Sequence, residues 1–596
     1  MNNIYTFVSE QEGAFKNPIL LEDGWWWNFK EHIRRSFLYK NSQFERDNED
    51  RDKRPFKNIV RPILNIHYRT EGFDVKDIEI YVDNPETYYK SFLLKKFHEK
   101  WALSNDIDTF IDELVESYVD YGGVLVKNVK GIRPEVVDFR TIAFCDQTDF
   151  LSGPFAIKHY FSPSQLKDME SAGWGNEAKG ATISIDSLIL KAENHKQQDK
   201  EDGSTKTPGK YVEIYEVHNV SERDFDPTSE DSDPMLYIVG FYKDDTGQNQ
   251  GVCIFKNKEP KLPFKFLKRD PVQGRALGFG AIEELFEAQV WTNFAEIHVT
   301  GMLEHASKVF YKTTDPRFKG QNLSNNANGK IFDLQPNTDL NQIDNTPRNL
   351  TAFTNFVVEM HEHASEMGAA SDLFLGQQPT AGTPFKSVET QLIEGKSLHI
   401  WRQGRIATFV NEIYRDWVIP HLGKEVVKGA KFLSELSADE LMGVADTVVT
   451  NEANRRIKEK VLKGGRMPSP EDQQLMKETI RETFFKQGSK RFLEILKDEM
   501  TGEKLDASTN IAAKQKDLAL LTDKLVNVLR QFIATPEIRQ DPEMIKFLNT
   551  ILESSGMSPI MFGPKLAPAI AQQGGGGTEP LKALAQSNER TPAGQA

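Results

Sequence analysis

His361-Glu362-His363 is the triplet in this chain that most invites a metal reading, because histidines flanking a glutamate serve zinc hydrolysis on helices. The spacing excludes it. Residues two apart on a helix point about 200° apart, whereas zinc needs histidines four apart on one face. His298 and His305 share a face, but two turns separate them by about 10 Å, too far to ligate one ion. The run Gly574 to Gly577 is not followed by Gly-Lys-Ser or Gly-Lys-Thr, and Gly274, Gly278 and Gly280 fit neither a P-loop nor a dinucleotide fingerprint. Cys145 and Cys253 are the only cysteines, too few for a disulfide framework or a Cys-rich zinc site. No catalytic group, metal or cofactor is expected. A metal-dependent hydrolase using dispersed carboxylates, the lesser alternative, has abundant Asp and Glu in its favour and no spacing.

Charge patterning carries more. Glu359, Glu362 and Glu366 follow three- and four-residue steps and so share one face of a helix. Lys308, Lys312, Arg317, Lys319, Lys330 and Arg348 make a locally basic cluster in a chain whose formal net charge is -14. That balance argues against tight, static phosphate binding, which is built from Lys and Arg, and leaves nucleic acid open as a passing cargo.

The elements behind these residues read as α+β followed by long helices. With 38% hydrophobic and 27% charged residues over 596 positions, the chain has apolar surface for several cores. No secretion signal is expected at Met1-Asn2-Asn3-Ile4-Tyr5, and no apolar run approaches the roughly 20 residues that span a bilayer. Trp25-Trp26-Trp27 is expected to be buried, and a helix is expected from Asn28 to Lys40 and another near Asn58 to Tyr68. Two helices over 83 to 121 lead into Tyr121-Gly122-Gly123 and the strand Val124 to Lys127. Strands follow at Pro134 to Phe144, Phe155 to Phe161, Tyr211 to Asn219, Leu236 to Lys243 and Val252 to Lys256.

From Gly280 the period changes. Ile282, Leu285, Phe286, Val290, Phe294 and Ile297 form an apolar stripe on a helix running to Lys308, about 45 Å long. Short strands at Val309 to Lys312 and Lys330 to Leu334 interrupt it, and helical spacing resumes from Phe353 to Met367. A loop with Pro379, Gly382 and Pro384 then precedes a helix from Lys386 to Val418 closed by Pro420. The remainder to 563 is expected to be nearly all helical, including Ser489 to Met500 and Asn510 to Ile533, with Ser469-Pro470-Glu471-Asp472 as one helix start. The tail after Pro564 is expected to be disordered.

This order, with Tyr-Gly-Gly turning into a strand and Gly-Arg-Ala-Leu-Gly-Phe-Gly (274 to 280) opening a long helix, resembles the portal family of tailed bacteriophages. The resemblance implies a wing at 1–279, stem helices at 280–308 and 351–374 and a clip at 309–350. It further implies a tunnel loop at 375–385, a joining helix at 386–420, a helical crown at 421–563 and the tail at 564–596. It implies a non-enzymatic dodecameric ring at the capsid vertex of the virion, assembled in the host cytoplasm without a membrane. Double-stranded DNA would pass through it during packaging and ejection. Partners would be the terminase large subunit, head-tail adaptor or neck proteins, the major capsid protein and a scaffolding protein.

On this reading Glu359, Glu362 and Glu366 face the DNA channel and keep the duplex from sticking, or else form a solvated outer face. The tunnel-loop residues Gln377, Gln378, Thr380, Thr383 and Lys386 offer polar donors with one cation, which suits transient phosphate contact. Lys312, Arg317, Lys319, Lys330 and Arg348 meet DNA or an acidic surface of the motor or adaptor. The alternative is another virion structural protein, a neck or baseplate component.

Overall fold

A computed structural model of the chain describes residues 4–45, 55–82, 98–129, 133–193, 211–243, 249–323, 330–344, 349–369, 385–422, 449–462, 467–487 and 505–509, apart from isolated positions within these stretches. The chain divides into one unit of Met1–Glu435 with Val448–Lys516 and another of Leu436–Thr447 with Asp517–Ala596. The second unit lies outside the described residues. The first is α+β, built on antiparallel sheets and long helices.

Helix α1 (Ile4–Ala14) leads into the hairpin β1 (Ile19–Glu22) and β2 (Trp25–Trp27). Strand alternation sends neighbouring residues to opposite faces. Ile19 pairs with Trp27 and Leu20 with Trp26, so Trp27 enters the core while Trp25 and Trp26 stand 42% and 61% exposed. The expected burial of all three tryptophans therefore holds for Trp27 alone. Helix α2 (Phe29–Lys40) starts where expected, with the Asn28 side chain accepting the Glu31 N–H at 2.9 Å. Then come α3 (Val60–Glu71), β3 (Ile78–Val82) and α4 (Ile107–Tyr121).

Helix α4 ends at Gly122, whose φ of 79° opens β4 (Gly123–Lys127). The Gly122 carbonyl accepts the N–H groups of Arg269 and Gly278 at 2.9 and 3.0 Å. A Cβ on Gly122 would overlap the Gly278 carbonyl, and one on Gly280 the Asp120 carbonyl. Two glycine segments far apart in sequence thus cross backbone against backbone, which side chains would prevent. Strands β5 (Glu135–Val136) and β11 (Phe264–Lys268) flank β4 in one sheet. A second sheet has the order β10-β9-β8-β7-β6, from β6 (Ile142–Phe144), β7 (Phe155–Phe161), β8 (Val212–Val220), β9 (Met235–Lys243) and β10 (Asn249–Lys258). One face of it carries an aromatic core with Phe29, Phe139, Phe150 and Phe155. The other is covered by α5 (Ile185–Glu193) through Leu188 against Ile214, Ile238 and Ile254.

The helix expected from Gly280 to Lys308 is two: α6 (Ala281–Glu284) and α7 (Phe286–Ser307), broken at Leu285. Both glutamates of α6 are held from outside, Glu283 by Arg275 and Glu284 by Arg269 and Arg402, so α6 takes its direction from those arginines. Strand β12 (Phe310–Thr313) pairs with β13 (Leu340–Ile343), and Lys330 to Leu334, expected as a strand, forms none. Asp315 explains the choice. Its carboxylate accepts from the Arg317 and Gln335 backbones and from the Arg317 guanidinium, tying the start of the connector to its end.

Helix α8 (Leu350–Met367) returns, and α9 (Phe385–Ile413) begins after 370–384, outside the described residues. Pro420 does not close this helix. The turn Tyr414–Val418 widens to π geometry and the chain stays helical to 422, the wider turn accommodating a ring that lacks an N–H. Helix α10 (Pro470–Gln487) starts at Ser469, whose Oγ accepts the Asp472 N–H. Beyond 421, where nearly all helix is expected, the described residues include one strand, β14 (Leu505–Thr509), which pairs with β3. An edge strand with open backbone groups recruits a short segment that its own propensity does not commit to a helix. The expected helices Ser489 to Met500 and Asn510 to Ile533 and the tail after Pro564 lie outside the described residues. Among those described, no helix is long and apolar enough to cross a membrane.

Candidate functional site

Helices α7 and α8 pack as an antiparallel hairpin, with Trp291 facing Phe356 and His298 facing Phe353. At about 1.5 Å per residue, α7 is about 33 Å long and α8 about 27 Å. The β12–β13 unit joins their far ends. The buried face of α7 is small and polar: Ala288, Gln289, Thr292, Asn293 and Ala295. Gln289 fixes the base, its Oε1 accepting the Ile59 N–H at 2.9 Å and its Nε2 donating to the Lys57 carbonyl at 2.7 Å. The large apolar residues of the sequence-level stripe split at Leu285. Ile282 and Leu285 are fully buried, whereas Val290 and Phe294 stand 46% and 48% exposed, with Trp291 beside them at 44%. Val290, Trp291 and Phe294 lie within about 100° of one another, with Trp291 at the edge of that arc nearest α8, where it meets Phe356.

Glu359, Glu362 and Glu366 are exposed on α8, opposite the buried Val357 and Ala364. His361 and His363 flank Glu362, also exposed and on different faces. In the connector Lys312, Lys319 and Lys330 are exposed, but Arg317 is committed to Asp315 at 2.8 Å and to the Asp333 carbonyl at 3.0 Å. The basic cluster is thus smaller than its residue count implies. Gln377, Gln378, Thr380, Thr383 and Arg348 lie outside the described residues, and Lys386 sits in the first turn of α9.

The structure assembles one further group that the sequence reading missed. His67 and Glu71, one turn apart on α3, meet His399 of α9, and all three are buried. Glu71 Oε1 lies 2.8 Å from His67 Nδ1 and 3.2 Å from His399 Nδ1. Among the described residues this is the one cluster with metal-ligand spacing. Two arginines compete for the same oxygen. Arg269 Nη2 is 3.4 Å from Glu71 Oε1 and Arg402 Nη1 3.7 Å, and both side chains are nearly or fully buried. A divalent ion on Oε1 would sit against two guanidinium groups in a poorly screened site, a repulsion of several kcal/mol.

The cluster is therefore a buried ion-pair junction. Arg402 reaches Asp270 Oδ2 at 2.5 Å and Glu284 at 3.3 Å, and Arg269 reaches Glu284 at 3.5 Å, so α3, the end of β11, α6 and α9 are locked at the foot of the hairpin. Burial raises the cost of charge on Glu71, and the hydrogen bonds to His399 and His67 and the Arg269 charge outweigh it, holding the carboxyl well below its ordinary range. Burial pushes His67 down to about 4, so it is neutral. The signal in the sequence was a His and a Glu at four-residue spacing on the apolar side of α3, among Ile63, Leu64 and Ile66. Their partners, hundreds of residues away, left no local mark.

No family model matches the chain, and no curated protein matches it. Solved structures similar to it in part include two particle structures. One is titled as the virion of a native gene transfer agent particle, at 9% identity and TM-score 0.30, covering 79% of this chain and 98% of that one. The other is titled as the neck of an empty gene transfer agent particle computed with C6 symmetry, at 9% identity and TM-score 0.30, covering 78% and 98%. Likeness that shallow carries no argument about function.

Proposed function

We propose that this chain is a structural subunit of a phage-type virion and, within that class, the portal subunit whose ring conducts double-stranded DNA into and out of the capsid. One observation carries the reading. A long helical hairpin tipped by a small β unit leaves Val290, Trp291 and Phe294 half-exposed, Trp291 partly covered by Phe356, while burying small and polar groups. Large apolar residues on an exposed helix face mark a surface that another protein covers. Identical copies side by side would cover it continuously, and cyclic repetition closes the ring.

On this reading residues 1–279 form the wing, α7 and α8 the stem, the β12–β13 unit the clip, and α9 the helix joining wing to crown. Glu359, Glu362 and Glu366 then line the channel on the stem face turned away from the protomer's own packing. Like charge keeps the duplex sliding instead of bound, consistent with a net charge of -14 in every copy. The exposed Lys312, Lys319 and Lys330 would meet the motor or adaptor, and Arg317 contributes less because Asp315 holds it.

A neck component shares the coarser statement and differs in consequence. Heads assembled without this protein, purified and assayed for nuclease-protected DNA, separate the two. A portal predicts empty heads, because the entry for DNA is missing. Filled heads lacking tails would instead assign the chain to the neck.

A further inference from the structure

Within the five-stranded sheet, His218 of β8 is 1% exposed and enclosed by two phenyl rings, Phe155 stacked at 5.2 Å and Phe264 edge-on at 4.6 Å. Both ring nitrogens face carboxylates. Nδ1 is 3.0 and 3.1 Å from the two oxygens of Glu259, in the connector after β10, and Nε2 is 3.2 Å from Glu216 Oε1 on its own strand. An ionised carboxylate only accepts, so each contact is favourable only if that nitrogen carries a proton. A neutral ring would set a lone pair against a carboxylate in a site the phenyls seal from water.

The remaining charges complete the balance. Glu216 also takes Lys127 Nζ of β4 at 2.6 and 2.7 Å and faces the half-exposed His159 of β7 at 3.1 Å. With His218 protonated, it and Lys127 match Glu216 and Glu259. Without that proton the buried pair of carboxylates carries one uncompensated charge.

We infer that His218 is a protonation lock, its charged ring tying β8 to the β10–β11 connector, which loosens when the proton leaves. β11 runs directly into Arg269, so the lock bears on the strand that feeds the junction under the hairpin. Burial alone would favour the neutral ring, but the nearby Glu216 carboxylate and the hydrogen bond and charge of Glu259 overcome it and hold His218 above the ordinary histidine value. Glu216 is held well below the carboxylate range: burial opposes its charge, and His159, His218 and Lys127 outweigh that. It therefore stays ionised throughout the relevant window.

A raised folded value means that the stabilisation is complete below the ordinary histidine value near 6.5 and is lost as pH climbs through the raised one. Histidine-specific deuterium exchange on the full wild-type chain reads His218 directly, and amide exchange reads residues 259–264. The expected result is a His218 midpoint above about 6.5. Over the interval up to that midpoint, connector protection should fall by about tenfold per pH unit beyond the ordinary base-catalysed rise. Glu259→Gln should lower the midpoint and shift the connector step with it. A wild-type midpoint at or below the ordinary value, or connector exchange with no such step, overturns the lock. The wild-type reading decides even if the variant fails to fold.

Discussion

At the scale of single residues, the largest energetic commitments are buried charges. Arg269 and Arg275 are among the largest fully buried side chains, and each is matched by carboxylates. Such pairs add little net stability over apolar packing, but removing one partner leaves the other charged and unpaired in the interior. Glu71→Ala should cost about 3–5 kcal/mol in denaturant unfolding, whereas Glu71→Leu combined with Arg269→Met should recover most of that loss. Equal destabilisation by the single and double changes would contradict the ion-pair account. Little of this was legible in advance. Glu359, Glu362 and Glu366 could be placed on one face from spacing alone, but that Arg317 serves Asp315 depends on a turn no periodicity reveals.

At the scale of elements, periodicity located most helices and strands, and its failures have causes. α2 begins where it is expected because its cap is local, the Asn28 side chain accepting from the nearby Glu31 N–H. The break at Leu285, the pairing of β12 with β13 and the recruitment of β14 by β3 were hidden because each depends on a distant partner. The apolar stripe of α7 was visible, but its division into a buried foot and an exposed shaft was not, since hydrophobicity does not say whose core a residue enters. Trp291→Glu with Phe294→Glu tests the exposed part. Because both side chains are half-exposed but Trp291 also meets Phe356 and Phe294 meets His298 within the hairpin, thermal unfolding of the isolated chain should move by about 1–2 kcal/mol equivalent while self-association is abolished. A large loss of protomer stability, or undiminished assembly, would show that the face packs inward.

At the scale of the whole molecule, the proposed function makes this acidic chain, with its long hairpin and half-exposed apolar residues, one member of a symmetric set. The glycine crossing at Gly122, Gly278 and Gly280 and the Glu71 junction fix the hairpin's base, so that copies can meet in one geometry. The reading stands or falls on closure of that set. Native mass measurement with class-averaged negative-stain images of the purified full-length chain tests it most directly. A closed high-order ring with an axial channel wide enough for a duplex is the predicted result, and a chain that stays monomeric or forms only open, low-order assemblies at every concentration tried would contradict it.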